Sequence, residues 1–190
     1  ASDVYKRQVL YISINAGGSG TNAAAHAAAE QYAQEHPESR MKVYIVDSHT
    51  YSMAEGAGVI DAKKMLADGK TMEEVVDYLN DKYARMEILL TAYTLKVIRK
   101  SGRISAAAAI AGDLLGIHPI FTLNDGVSQV VKKVRGDKAV LGGMAGMLAS
   151  RIAQGTPYYI GVSDHKYDEE YIEACTKKVG YAPAGVFHLG

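Results

Sequence analysis

Two arginines and one run of glycines carry the residue types best suited to holding an anion. Arg103 lies in Ser101-Gly102-Arg103-Ile104 and Arg135 in Val134-Arg135-Gly136, each with glycine as an immediate neighbour. A guanidinium presents a planar fork of N–H donors that matches a carboxylate or a phosphate. Ile104 and the alanines after it set Arg103 beside an apolar wall, where the charge requires a partner. Arg135 has two readings, a group facing a ligand or an exposed cation at a strand end. The third feature is Asn15-Ala16-Gly17-Gly18-Ser19-Gly20-Thr21, placed between an apolar run and an alanine-rich helical pattern. Glycines let the backbone approach a bound group, and the first N–H groups of the following helix point outward with the positive end of its dipole. Taken alone, such a turn in a βα unit is only a turn.

The elements that must position these groups can be read from periodicity. The spacing predicts a small-residue helix over 106–115, able to pack closely and leave room for another apolar body. Apolar runs over 117–123 and 127–134 flank Asn124-Asp125-Gly126, whose residue types suit the positive φ of a tight hairpin turn. Upstream, residues 1–8 lack periodicity and read as a foreign leader, outside the fold. Residues 9–14 predict a strand buried on both faces, followed by the glycine turn and a helix to about residue 34. A second strand over 41–46 ends at Asp47-Ser48, an acid expected to bond loop amides. Helices follow over 52–67, with Gly56 and Gly58 giving close packing, and from Thr71, where Thr71-Met72-Glu73-Glu74 resembles a capping box. A third strand over 87–92 lies near a lobe boundary, and a short helix over 94–99 leads to Arg103. Beyond the hairpin come a helix over 139–153 rich in glycine and methionine, a strand over 158–162, and a helix over 168–178 that carries Cys175. The βαβαα order at the start is that of an α/β layer protein.

These motifs, in this order and register, resemble the DegV family: Gly102-Arg103-Ile104-Ser105, the alanine-rich helix with Gly112, Ile117-His118-Pro119-Ile120, Asp125-Gly126 and Val134-Arg135-Gly136. The resemblance implies an α/β protein of two lobes. The first, 9–85, is a partial three-layer α/β/α parallel-sheet lobe of Rossmann type; the second, 86–190, is a two-layer α/β lobe with a mixed sheet, its C-terminal part incomplete. It also implies a cytoplasmic bacterial carrier that binds one long-chain fatty acid between the lobes and presents the carboxylate to a separate fatty acid kinase, with no chemistry of its own. The ligand-binding set expected from it is Asn15, Gly18, Ser19, Gly20, Thr21, Arg103 and Arg135. The acyl-chain lining expected is Ile104, Ala107, Ile110, Ala111, Leu114 and Ile120. Ser19, Gly20 and Thr21 match the family's Ser-Gly-Thr, while Asn15 and Ala16 stand where it has serines. The family's opening Thr-Ser-x-Pro-Ser motif is not matched, and Phe187-His188-Leu189-Gly190 fits the segment before its last strand better than its His-x-Gly-Pro-Gly loop. A first sheet without its leading strands leaves an edge open to pairing with a second copy, so a homodimer is expected.

Composition narrows the remaining classes. With 21 acidic and 21 basic residues in 190, the chain has no net field with which to hold nucleic acid or an anionic membrane. One cysteine rules out an internal disulfide and any cysteine-rich metal site and fits a reducing compartment. The six histidines show no i, i+4 pair, and neither a metal nor another cofactor is expected. No apolar run reaches the roughly 20 residues that span a bilayer. Two other readings stand beside the carrier: an enzyme handling a phosphate or sugar phosphate on a fold like that of dihydroxyacetone kinase, and a fragment that folds without binding. The enzyme would use a histidine covalently, and none adjoins residues 17–21 in sequence.

Overall fold

A computed structural model of the chain describes residues 7–94, 100, 116–124 and 127–189. It divides into two compact units, one running to Ile88 and including Leu123–Val127, the other holding Leu89–Thr122 and Ser128–Gly190. Residues 95–99 of the predicted helix over 94–99, the predicted helix over 106–115, the turn residues Asp125-Gly126, and the site candidates Arg103, Ile104, Ala107, Ile110, Ala111 and Leu114 lie outside the described residues.

The first unit is built on two parallel strands, Gln8–Ser13 (β1) and Lys42–Asp47 (β2), joined by the helix Thr21–Glu35 (α1). The register puts Leu10 beside Tyr44 and Ile12 beside Val46, so these four share one face of the sheet. Helices Met53–Ala67 (α2) and Met72–Ala84 (α3) cover that face, packing Ala62, Val75, Leu79 and Tyr83 around Val46. Helix α1 touches both strands yet buries no residue fully. The result is the α/β layering expected, with two corrections. Residues 9–14 are not a strand buried on both faces: Val9 and Tyr11, on the face opposite the core, are 42% and 38% exposed. Nor do residues 7 and 8 stand outside the fold, because Gln8 pairs with Lys42 and the Arg7 carbonyl accepts the Lys42 N–H at 2.7 Å. A strand's hydrogen bonds extend past its apolar residues, which a pattern of apolar types cannot register.

The two glycines expected to give close packing behave differently. A Cβ on Gly58 would collide with the Tyr83 hydroxyl, whereas one on Gly56 meets nothing within 4 Å. Tyr83 is 2% exposed and its hydroxyl donates to the Glu55 carbonyl at 2.7 Å, so Gly58 is the notch that admits the ring. Burial pushes the Tyr83 phenol well above its ordinary range, and burial likewise raises the Glu55 carboxyl.

The second unit holds most of a three-stranded sheet of Ile88–Thr91 (β3), Ile117–Asn124 (β4) and Val127–Arg135 (β5), in that order. Only residues 125 and 126 separate β4 from β5, which makes this pair the expected antiparallel hairpin. Helix Asp137–Arg151 (α4) lays Val140, Met144 and Met147 against Ile120 and Val134, so the methionines serve as core. A separate parallel pair, Tyr159–Val162 (β6) and Gly185–His188 (β7), packs with Asp168–Val179 (α5). Both kinds of pairing expected of this lobe, parallel and antiparallel, are present among the described residues. Cys175 is buried among Ala145, Tyr158, Ile160 and Val162, and that burial raises its thiol. Two histidines tie strands to helix starts: His118 Nε2 lies 2.7 Å from Asp137 Oδ1, and His188 Nε2 lies 2.7 Å from Asp168 Oδ2.

At the start of α3 the capping box is complete: Thr71 Oγ1 accepts the Glu74 N–H and Glu74 Oε2 accepts the Thr71 N–H. Thr71→Ala is expected to lower the unfolding free energy by about 1 kcal/mol in chemical denaturation. The Thr71 N–H and Lys70 hold the Glu74 carboxyl below its ordinary 4.5. Its contribution is therefore full above pH 4.5 and is lost as pH falls through the lower folded value. Denaturation of wild type and Glu74→Gln should accordingly converge as pH drops from 7 to 3.

Candidate functional site

Parallel strands β1 and β2 end together, and the loops that leave them face each other at their carboxyl ends, where open α/β sheets take their ligands. One loop is the glycine-rich segment 14–20 that opens α1, and the other is 48–52, which opens α2. Asn15 ties them together. Its backbone N–H donates to the Thr50 carbonyl at 2.9 Å, its side-chain amide donates to the His49 carbonyl at 2.9 Å, and its Oδ1 accepts the Gly17 N–H at 2.7 Å. Asp47 closes the same joint: its carboxylate accepts the Ala16 N–H at 3.2 Å and the His49 N–H at 2.9 Å. Asp47 therefore does what was expected of it. The buried Ser13 and Ser48 add a third tie, the Ser48 N–H donating to the Ser13 carbonyl at 3.0 Å.

Of the expected ligand residues in this loop, Asn15 is placed differently from the others. It is 1% exposed and its polar atoms serve the loop itself, which makes it the fastener of the site rather than a donor on its surface. Ser19 and Thr21 are brought together, their hydroxyl oxygens 3.2 Å apart, and Ser19 Oγ accepts the Thr21 N–H at 3.3 Å. Gly20, the residue before the helix, is exposed and has no side chain with which to cap α1. Two hydroxyls at the positive end of a helix dipole form a polar surface suited to an anion. Gly18 is half-buried, and the Tyr51 hydroxyl fills the space its side chain would occupy.

In the other unit, Arg135 is exposed at the end of β5. Ile120 is not an open wall for an acyl chain: it is 0% exposed, covered by the protein's own Val134, Val140 and α4, with Gly143 close to its Cδ1.

Sequence reasoning gave residues 49–51 no role. The signal there is backbone conformation: His49 and Ser52 take φ of +51° and +55°, which residues with a Cβ adopt at a cost. His49 is also brought beside Asp47, Nδ1 to Oδ2 at 3.6 Å, so the fold sets a histidine next to the glycine loop that the linear order does not. Among the described residues, no three histidine, cysteine, aspartate or glutamate side chains converge on a metal position.

A family model described as an uncharacterised protein of the DegV family matches residues 3–180. This chain belongs to the DegV family. The match takes in most of the stretch 1–8 expected to be a foreign leader. A DegV domain-containing protein of Clostridium perfringens is 34% identical over 123 residues, which are 65% of this chain and 43% of the relative. Another, from Clostridium acetobutylicum, is 34% identical over 131 residues, 69% of this chain and 45% of the relative. The DegV chain thus spans less than half of these relatives' length. Among solved structures, a DegV family protein from Eubacterium eligens loaded with heptadecanoic acid matches at a TM-score of 0.80 and 25% identity, over 96% of this chain and 66% of that one. A fatty-acid-binding DegV family protein from Thermus thermophilus matches at 0.75 and 25%, over 98% and 66%. The fold is also that of the fatty acid kinase B3 protein of Streptococcus pneumoniae, loaded with linoleic acid, at 0.78 and 19% identity over 96% and 64%.

Asn15→Asp keeps the acceptor for Gly17 and removes the donor to His49. It is expected to cost roughly 1–3 kcal/mol, the scale of losing a hydrogen bond at a position that is 1% exposed, read as a lowered denaturation midpoint.

Proposed function

We propose that this DegV chain binds a long-chain fatty acid and presents its carboxylate to a separate fatty acid kinase, acting as a carrier and not a catalyst. The observation that carries the reading is the joining of Ser19 and Thr21 at a helix start beside the carboxyl ends of β1 and β2, in a fold whose solved relatives hold heptadecanoic and linoleic acids. The physics of such binding is divided between the two ends of the ligand. Each buried CH₂ contributes about 0.8 kcal/mol, which supplies affinity, while a few donors and one cation fix the anionic end. Ser19, Gly20, Thr21 and Arg103 are the head-group residues, with Arg135 on the side that meets the kinase. The kinase brings ATP and magnesium. The resemblance to cytoplasmic bacterial proteins and a single buried thiol support a cytoplasmic setting, and no described helix is long and apolar enough to cross a membrane.

Native mass spectrometry of the chain purified from bacteria tests the reading: a retained mass of a C14 to C20 acid is expected, and a phosphate or sugar-phosphate adduct in its place would support the enzyme. Arg103→Ala is expected to reduce that occupancy severalfold with an unchanged melting temperature. Full lipid occupancy in that variant would remove Arg103 from the head-group set.

A further inference from the structure

From the geometry of the two loops we infer that Tyr51 is a head-group residue, its hydroxyl donating to the ligand carboxylate beside Ser19 and Thr21. The inference rests on the fatty-acid reading above and adds a residue that neither the motifs nor the family pattern singled out.

Three observations meet at this side chain. The Tyr51 hydroxyl lies so close to Gly18 that a Cβ there would collide with it, which puts the phenol directly on the glycine-rich loop. The ring is held there by a turn of unusual conformation: Ser52, the next residue, sits at φ +55° and ψ −122°, and His49 precedes it at φ +51°. Strain of this kind persists where the surroundings enforce it and clusters at ligand sites. Thr50, between them, is 3% exposed, and its hydroxyl oxygen is buried with no hydrogen-bond partner among the described residues. A buried polar atom left in that state carries a cost that a ligand or water would relieve. The same loop is bonded to Asn15 through the carbonyls of His49 and Thr50, so the segment that carries the tyrosine is joined to the segment that opens α1.

The chemistry follows from the groups present. A phenol is a strong neutral donor, and a hydrogen bond from it to a carboxylate is charge-assisted, worth more than the same bond to a neutral oxygen. Tyr51 therefore favours an ionised acid over an uncharged lipid of equal chain length. Gly18 is the complement of this arrangement, because any side chain there would push the hydroxyl away.

Delipidated wild type, Tyr51→Phe, Gly18→Ala and the double variant are to be titrated with palmitic acid and with hexadecanol, which keeps the chain and lacks the charge. Tyr51→Phe is expected to weaken palmitate binding about tenfold, the scale of one hydrogen bond to a charged group, while changing hexadecanol binding less than threefold. Gly18→Ala should weaken palmitate by a similar factor. In the double variant the two losses should not add, since without the hydroxyl the new Cβ needs only small adjustment of the ring. Unchanged palmitate affinity in Tyr51→Phe, or equal losses for acid and alcohol, would overturn the inference while leaving the fatty-acid reading intact. A wild type that binds neither lipid would overturn that reading and this inference with it.

Discussion

The first unit depends on a joint between two loops at the ends of parallel strands. A two-stranded parallel sheet is a small object, and its strand ends would fray if the chains leaving them were independent. Asn15 and Asp47 prevent this by taking up amides and carbonyls of both segments, in bonds of 2.7 to 3.2 Å. The glycine-rich turn is therefore a defined shape, and the start of α1 is held at a fixed place relative to β2. A donor surface meant for an anion needs this fixity, since donors that must first be ordered lose part of their binding energy to that ordering.

The departure from the family pattern at Asn15 and Ala16 becomes intelligible through the same joint. Serine at these positions can supply a hydroxyl to a ligand, whereas asparagine is longer and carries donor and acceptor together. Here it spans to His49 with one and back to Gly17 with the other, and the position is buried. Ala16 contributes only its N–H, which Asp47 accepts. A loop closed in this way has fewer side-chain donors of its own at its surface. Tyr51, reaching over Gly18 from the opposite loop, is a compensation available within the same unit.

In the second unit, contacts between histidine and aspartate organise two helix starts. His118 on β4 meets Asp137, the first residue of α4, and His188 at the end of β7 meets Asp168, the first residue of α5. Acidic residues at these positions suit the positive end of the helix dipole, and each histidine adds a partner from the sheet below. The scattering of histidines along the chain concealed a repeated use, because the two residues of each pair are about 20 positions apart.

Local chemistry made much of the chain legible before any coordinates: the capping box at Thr71, the hairpin strands on either side of residues 124–126, the glycine turn before α1 and the layer order all follow from short-range propensity and periodicity. The family motifs were legible too, since several short matches in register rarely coincide by chance. What tertiary structure alone decided is which atoms are used up. Whether Asn15 faces a ligand or its own loop, whether Ile120 lines a cavity or the core, whether Val9 and Tyr11 are covered, and where the ring of Tyr51 comes to rest all depend on partners dozens of positions away. Residue type states which bonds a side chain is able to make, and only the packed chain determines which of them are already made.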